Sequence, residues 1–143
     1  MKAIGEGLSR PMAGMHFFNL VPVMKLVEVV ASEDTPQEMI DKLMEIYEKI
    51  GKTPGTVREA PRFIVNYILI PMIYEAISIY AEGIASVEDI HAAMKLGANH
   101  PIGELALGGL IGSDVVLAIL EVMLKGIDAP KYKPESMLRR MVK

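Results

Sequence analysis

Pro61-Arg-Phe-Ile-Val-Asn-Tyr-Ile-Leu-Ile-Pro-Met-Ile-Tyr-Glu-Ala-Ile-Ser-Ile-Tyr-Ala81 is apolar on nearly every helical face. A helix of that kind is either surrounded by other helices or embedded in lipid. Two stretches, Phe63–Val87 and Leu105–Leu124, raise the second option. The first holds Asn66, Glu75 and Glu82, and the second Asp114 and Glu121. An ionised carboxylate at bilayer depth costs roughly 2.5–3.5 kcal/mol. The reading is therefore a buried central helix of a compact or oligomeric protein, not a membrane span. Pro71 lies inside it, removes the hydrogen bond to the Tyr67 carbonyl, and is expected to kink it.

Everything C-terminal to this helix also reads as helical. Ser86-Val-Glu-Asp89 caps a helix running to Leu96 and stopping at Gly97. Asn99-His100-Pro101 makes a turn, followed by a short helix near Glu104–Leu110, a helix from Ser113 to Gly126, and a last one over Pro134–Val142. Gly108 and Gly112 form a Gly-x-x-x-Gly spacing, which marks tight helix packing. N-terminal to it the pattern changes. Gly14–Phe18 and Leu26–Val30 are short and rich in aromatic or β-branched residues, and read as strands at 14–18 and 26–30. Thr35-Pro-Gln-Glu38 is a capping box launching a helix over about 36–50, and Gly51 ends it in the left-handed conformation. A third strand fits 53–58. The fold class is mainly α, with two or three short strands in front.

Composition narrows the function. The chain has 143 residues, a net charge of −3 and no cysteine. That excludes a disulfide framework and thiolate metal sites. The acidic balance argues against a nucleic-acid partner. The N-terminus has no apolar signal-peptide run, and the composition reads as cytoplasmic. No P-loop, nucleophile elbow, metal-ligand cluster or Gly-x-Gly-x-x-Gly occurs. The last absence means that nothing here can cradle a dinucleotide pyrophosphate in the usual way. Met24, Met39, Met44, Met72, Met94, Met123, Met137 and Met141 are most economically core filler.

A few residues could carry chemistry. His16 and Glu28 sit on neighbouring strands, and a glutamate facing a histidine is how a general base is oriented and charged. Spacing alone leaves a second option, a half-buried histidine beside a solvated glutamate, and favours it. Asn66 is an amide on an apolar helix and needs a partner, either a substrate oxygen or a backbone group freed by Pro71. His100 reads more readily as a turn histidine satisfied by local backbone than as a site residue.

His16-Phe-Phe-Asn19-Leu-Val-Pro22-Val-Met-Lys25-Leu-Val-Glu28-Val-Val30 resembles the His-Phe-Phe-Asn-Pro-Val-Pro-Val-Met-Lys-Leu-Val-Glu-Val signature of the L-3-hydroxyacyl-CoA dehydrogenases, especially the bacterial 3-hydroxybutyryl-CoA dehydrogenases. Gly51-Lys-Thr-Pro54, Phe63-Ile-Val-Asn66, Ile68–Met72, Glu75-Ala76, Ala92–Pro101 and Pro130-Lys-Tyr132 follow in the same order and spacing. The resemblance covers nearly the whole chain. It implies a residual end of a Rossmann-type dinucleotide-binding domain over 1–60. A helical, 6-phosphogluconate-dehydrogenase-C-like domain for dimerisation and substrate binding follows over 61–143. By the same resemblance, His16 removes the proton from the substrate 3-hydroxyl while hydride passes to NAD, and Glu28 orients and charges it. Asn66 helps bind and polarise the reacting oxygen, and Asn19 lies near the nicotinamide.

The sequence departs from the family's pattern at several places. Leu20 stands for Pro, Arg62 for Gly, Tyr67 for Arg, Glu104 for Pro and Gly109 for Asp. The expectation is the C-terminal part of an NAD-dependent 3-hydroxyacyl-CoA dehydrogenase, truncated or separately encoded. It would act on acyl-CoA as a homodimer through the helices after Pro61, would need no metal, and would be inactive alone because NAD does not bind these residues stably. The alternatives are one half of a split enzyme, completed by a separate nucleotide-binding chain, and a non-catalytic dimerisation module or gene remnant.

Overall fold

A computed structural model describes residues 10–60, 63–127, 130–134 and 136–142. The chain divides into two compact units, the first ending at Phe63 and the second beginning at Ile64. Pro61 and Arg62, singled out above, lie outside the described residues.

The first unit is built on a three-stranded sheet, β1 (Ala13–Phe17), β2 (Leu26–Ala31) and β3 (Thr53–Arg58), with β2 in the middle. β1 runs antiparallel to β2 and β3 parallel to it, so β2 and β3 are joined by a crossover through the helix α1 (Gln37–Lys49). The β-branched run of β2 suits this central place. Val27 and Val29 are fully buried and pack with Tyr47, Leu43 and Met44 of α1. Successive strand residues face opposite sides, so Glu28 and Val30 point to the face away from that helix. Gly51 ends α1 at φ 78, as its sequence suggested.

Two local expectations fail here. Thr35 does not cap α1: its hydroxyl accepts the Ser32 backbone N–H at 2.9 Å and donates to the Met12 carbonyl at 2.7 Å. Pro36 occupies the cap position with no side-chain bond. The threonine is used to tie the residues before β1 to the loop after β2. Met24 is not core filler either, being 43% exposed, and Met141 is likewise exposed in the second unit.

The second unit is helical: α2 (Ile64–Ala81), α3 (Val87–Ala92), α4 (Glu104–Ile111), α5 (Ser113–Ile127) and α6 (Ser136–Met141), with a short 3₁₀ turn at Pro130–Tyr132. Ile70, Ile73, Tyr74 and Ile77 of α2 meet Val116, Leu120 and Met123 of α5, together with Tyr132 and Leu138, in one buried cluster. Helix α2 remains a single helix through Pro71. By length and composition it could cross a membrane, and in this fold it is the helix on which the core is assembled. The second apolar stretch is not one helix, because α4 and α5 meet at 95°. Gly112 makes that corner at φ 101. Gly108 explains how closely α4 approaches α2: a Cβ there would stand 2.9 Å from Ile73 Cγ2. Ser86 caps α3 as expected, its hydroxyl accepting the Asp89 N–H at 3.1 Å. Past Ala92, α3 continues as a π-turn over Ala93–Gly97, which the residue pattern does not signal.

Candidate functional site

His16 and Glu28 are direct cross-strand partners in the β1–β2 ladder. Residues directly opposite each other project to the same face of a sheet. Here that face is the one turned away from α1. Glu28 is only 1% exposed, and its Oε2 lies 2.8 Å from Nδ1 of His16. The solvated glutamate that spacing alone favoured is therefore ruled out. A carboxylate can only accept a hydrogen bond, so with Glu28 ionised the imidazole proton sits on Nδ1. Nε2 is left with its lone pair and has no partner among the described residues. The side chain keeps 20% exposure. This is the geometry of a general base: one nitrogen oriented and electrostatically compensated, the other open to take a proton.

Two aromatic rings complete the histidine's surroundings. Phe63 stacks on the imidazole with centroids 3.8 Å apart and planes 14° apart. Phe18, just past the end of β1, meets it edge-on at 4.7 Å and 60°.

The other expected site residues are Asn19 and Asn66. Asn19 is exposed, just past the end of β1. The turn that follows is closed by the Val23 and Met24 N–H groups donating to the Leu20 carbonyl at 2.7 and 3.0 Å. The Lys52 ammonium donates to the carbonyls of Val21 and Met24. Leu20 sits at φ 64, in the left-handed region. A proline, whose ring holds φ near −65°, cannot adopt that conformation. Asn66 is half-buried in the first turn of α2 and belongs to the second unit.

A second histidine–glutamate pair was missed. His100 is not satisfied by backbone at its ring: Nδ1 lies 2.5 Å from Glu104 Oε1. Glu104 is 1% exposed, and its Oε2 is buried without a hydrogen-bond partner among the described residues. The four-residue spacing of a histidine and a glutamate was the available signal, but the pair spans the turn before α4 and not a helical face.

Among the described residues no group of three or more His, Cys, Asp or Glu could hold a metal. A cavity of about 290 Å³ in the second unit is lined by Ile73, Ile77, Leu105, Val116 and Leu138 among others. Its walls are mostly apolar, with the hydroxyl-bearing Tyr80 and Ser113 also among the lining residues.

Comparison with known proteins matches two consecutive family models. The one described as "3-hydroxyacyl-CoA dehydrogenase, NAD binding domain" covers residues 1–60. The one described as "3-hydroxyacyl-CoA dehydrogenase, C-terminal domain" covers 63–143. The 3-hydroxybutyryl-CoA dehydrogenase of Clostridioides difficile is 52% identical over 142 residues, covering 98% of this chain and 50% of that protein. The human mitochondrial hydroxyacyl-coenzyme A dehydrogenase is 42% identical over 132 residues, covering 91% of this chain and 42% of its own length. The crystal structure of (S)-3-hydroxybutyryl-CoA dehydrogenase from Ralstonia eutropha superposes with a TM-score of 0.87 at 48% identity, covering 91% of this chain and 46% of that one. The chain thus spans about half the length of the curated relatives it matches.

Proposed function

Because the chain belongs to the 3-hydroxyacyl-CoA dehydrogenase family, we propose that it carries the proton-transfer half of an NAD-dependent 3-hydroxyacyl-CoA dehydrogenase reaction. The substrate class is a short 3-hydroxyacyl-CoA, as in the 3-hydroxybutyryl-CoA dehydrogenases it resembles, interconverted with its 3-oxoacyl-CoA. The observation that carries this reading is the bond from His16 Nδ1 to the buried Glu28 at 2.8 Å.

In this reading His16 Nε2 takes the proton from the substrate 3-hydroxyl, or returns it in the reverse direction. Glu28 holds the tautomer and offsets the charge that the imidazole acquires. Asn66 donates its amide to the reacting oxygen, and Asn19 stands at the nicotinamide. The helices from Ile64 onward serve dimerisation and substrate binding, and the protein works in the cytoplasm.

The described residues do not fit a dinucleotide. The parallel pair β2–β3 offers one strand-to-helix turn, Ser32 to Pro36, and it contains no glycine. The helix it leads into is capped by a proline, which has no N–H to offer a phosphate. A family model of the NAD binding domain covers residues 1–60, yet its described part offers no dinucleotide cradle, and we expect the chain alone to be inactive. The test is co-expression with the nucleotide-binding part of the C. difficile relative, assayed with NADH and acetoacetyl-CoA. Turnover by the pair and none by the chain alone is the expected result. A pair that neither co-purifies nor turns over refutes the dehydrogenase reading and leaves a non-catalytic dimerisation module.

A further inference from the structure

We propose that Phe63 is a positioning residue, a flat wall that holds the imidazole of His16 in the plane where Nδ1 meets Glu28. The proposal rests on the reading of His16 as the proton acceptor.

An imidazole held by one hydrogen bond keeps two freedoms. It can rock about the bond to its Cβ, and it can turn over about that bond, which puts Cδ2 in place of Nδ1 before the same partner. The terminal torsion of histidine is broad, so torsional preference alone does not stop either motion. Among the described residues His16 has one such bond, to Glu28, and its side chain is 20% exposed. Solvent is therefore present to accept whichever nitrogen turns away. The stacked ring of Phe63, 3.8 Å away and 14° from parallel, closes one face of the imidazole, so rotation out of plane drives the two rings into each other. Phe18 meets the imidazole edge-on at 4.7 Å and restricts it from a second direction. The two rings come from different places in the chain: Phe18 follows β1, and Phe63 immediately precedes α2. A base must be held close to its productive geometry by groups that are themselves fixed, and the glutamate alone does not supply this.

The experiment uses the isotope-labelled 143-residue chain and needs no turnover. A phenyl ring stacked on an imidazole shifts the carbon-bound ring protons of His16 upfield, and the ring nitrogen shifts report the tautomer. In the native chain His16 should show the upfield shift and a single tautomer protonated at Nδ1. Phe63→Leu should lose both, with the backbone amide spectrum of the rest of the first unit retained. Phe63→Tyr, which keeps the ring, should preserve both. If Phe63→Leu does not fold, Phe63→Met makes the same comparison with a side chain of similar reach. The proposal is overturned if the His16 signals of the ring-less variant coincide with native, or if the tyrosine variant scrambles the tautomer equally. A second readout joins it to the reaction: in the co-expressed pair, Phe63→Leu should lower kcat about tenfold or more with KM for the acyl-CoA unchanged. Native turnover failing while the spectroscopic pattern holds would remove the dehydrogenase reading and leave the wall in place. The reverse result would remove the wall alone.

Discussion

His100→Ala is predicted to be among the more damaging single changes in the second unit, although it removes a side chain from a surface turn. The reason is Glu104. Its carboxyl is 1% exposed, one oxygen is held by His100 at 2.5 Å, and the other has no partner among the described residues. Taking away the imidazole leaves a buried carboxyl with neither oxygen paired. Breaking a buried pair in this way costs about 3–5 kcal/mol. The His100 side chain is 32% exposed, so water reaches part of the vacated place, and the expected cost falls to about 2–3 kcal/mol. For a unit of this size that lowers Tm by roughly 10–20 °C. Glu104→Met removes the carboxyl at similar volume and should be neutral or stabilising, as replacement of a buried ionic group by a packed apolar one often is. The double variant should then match Glu104→Met, because no buried carboxyl remains for His100 to satisfy. Thermal unfolding followed by circular dichroism closes this cycle. Native-like stability in His100→Ala together with a loss in Glu104→Met would show that the carboxyl is solvated or satisfied elsewhere, and the reasoning would fall.

Two further stability changes follow from backbone and packing. Gly108→Ala places a methyl 2.9 Å from Cγ2 of the buried, β-branched Ile73, which cannot swing aside, so urea unfolding should show a loss of about 1–3 kcal/mol. Leu20→Gly relieves a left-handed backbone at φ 64 and should stabilise the first unit by about 1 kcal/mol, while Leu20→Pro, the residue of the family pattern, should destabilise it. Equal stabilities for the glycine and proline variants would show that the turn takes another conformation in solution.

The strands were legible because their composition changes abruptly from the rest of the chain: β-branched and aromatic runs at Gly14–Phe18 and Leu26–Val30 stand against a helical background. The observed β1 begins and ends one residue earlier than expected, leaving Phe18 outside it, and β2 ends one residue later. The His16–Glu28 pair was legible as a possibility and not as a fact. Strand alternation puts both residues on a face only once the register is known, and the register of β1 against β2 comes from the folded sheet. The aromatic wall was out of reach for a similar reason: Phe63 is remote from His16 in sequence, and no periodicity connects a strand to the residue before a later helix. Local polar chemistry misled in the other direction. Thr35 has the spacing of a capping residue, yet a bond to Met12 that the local sequence cannot show takes its hydroxyl. The π-turn at Ala93–Gly97 leaves the helical pattern of the sequence unchanged, since it alters hydrogen-bond partners and not residue types.

The proposed role of His16 is that of the base of a dehydrogenase. It is tested most directly by the steady-state rate of acetoacetyl-CoA reduction in the co-expressed pair, native against His16→Gln. A kcat lower by roughly 10²–10⁴ with little change in KM is the predicted result. A His16→Gln pair that turns over at the native rate would contradict it.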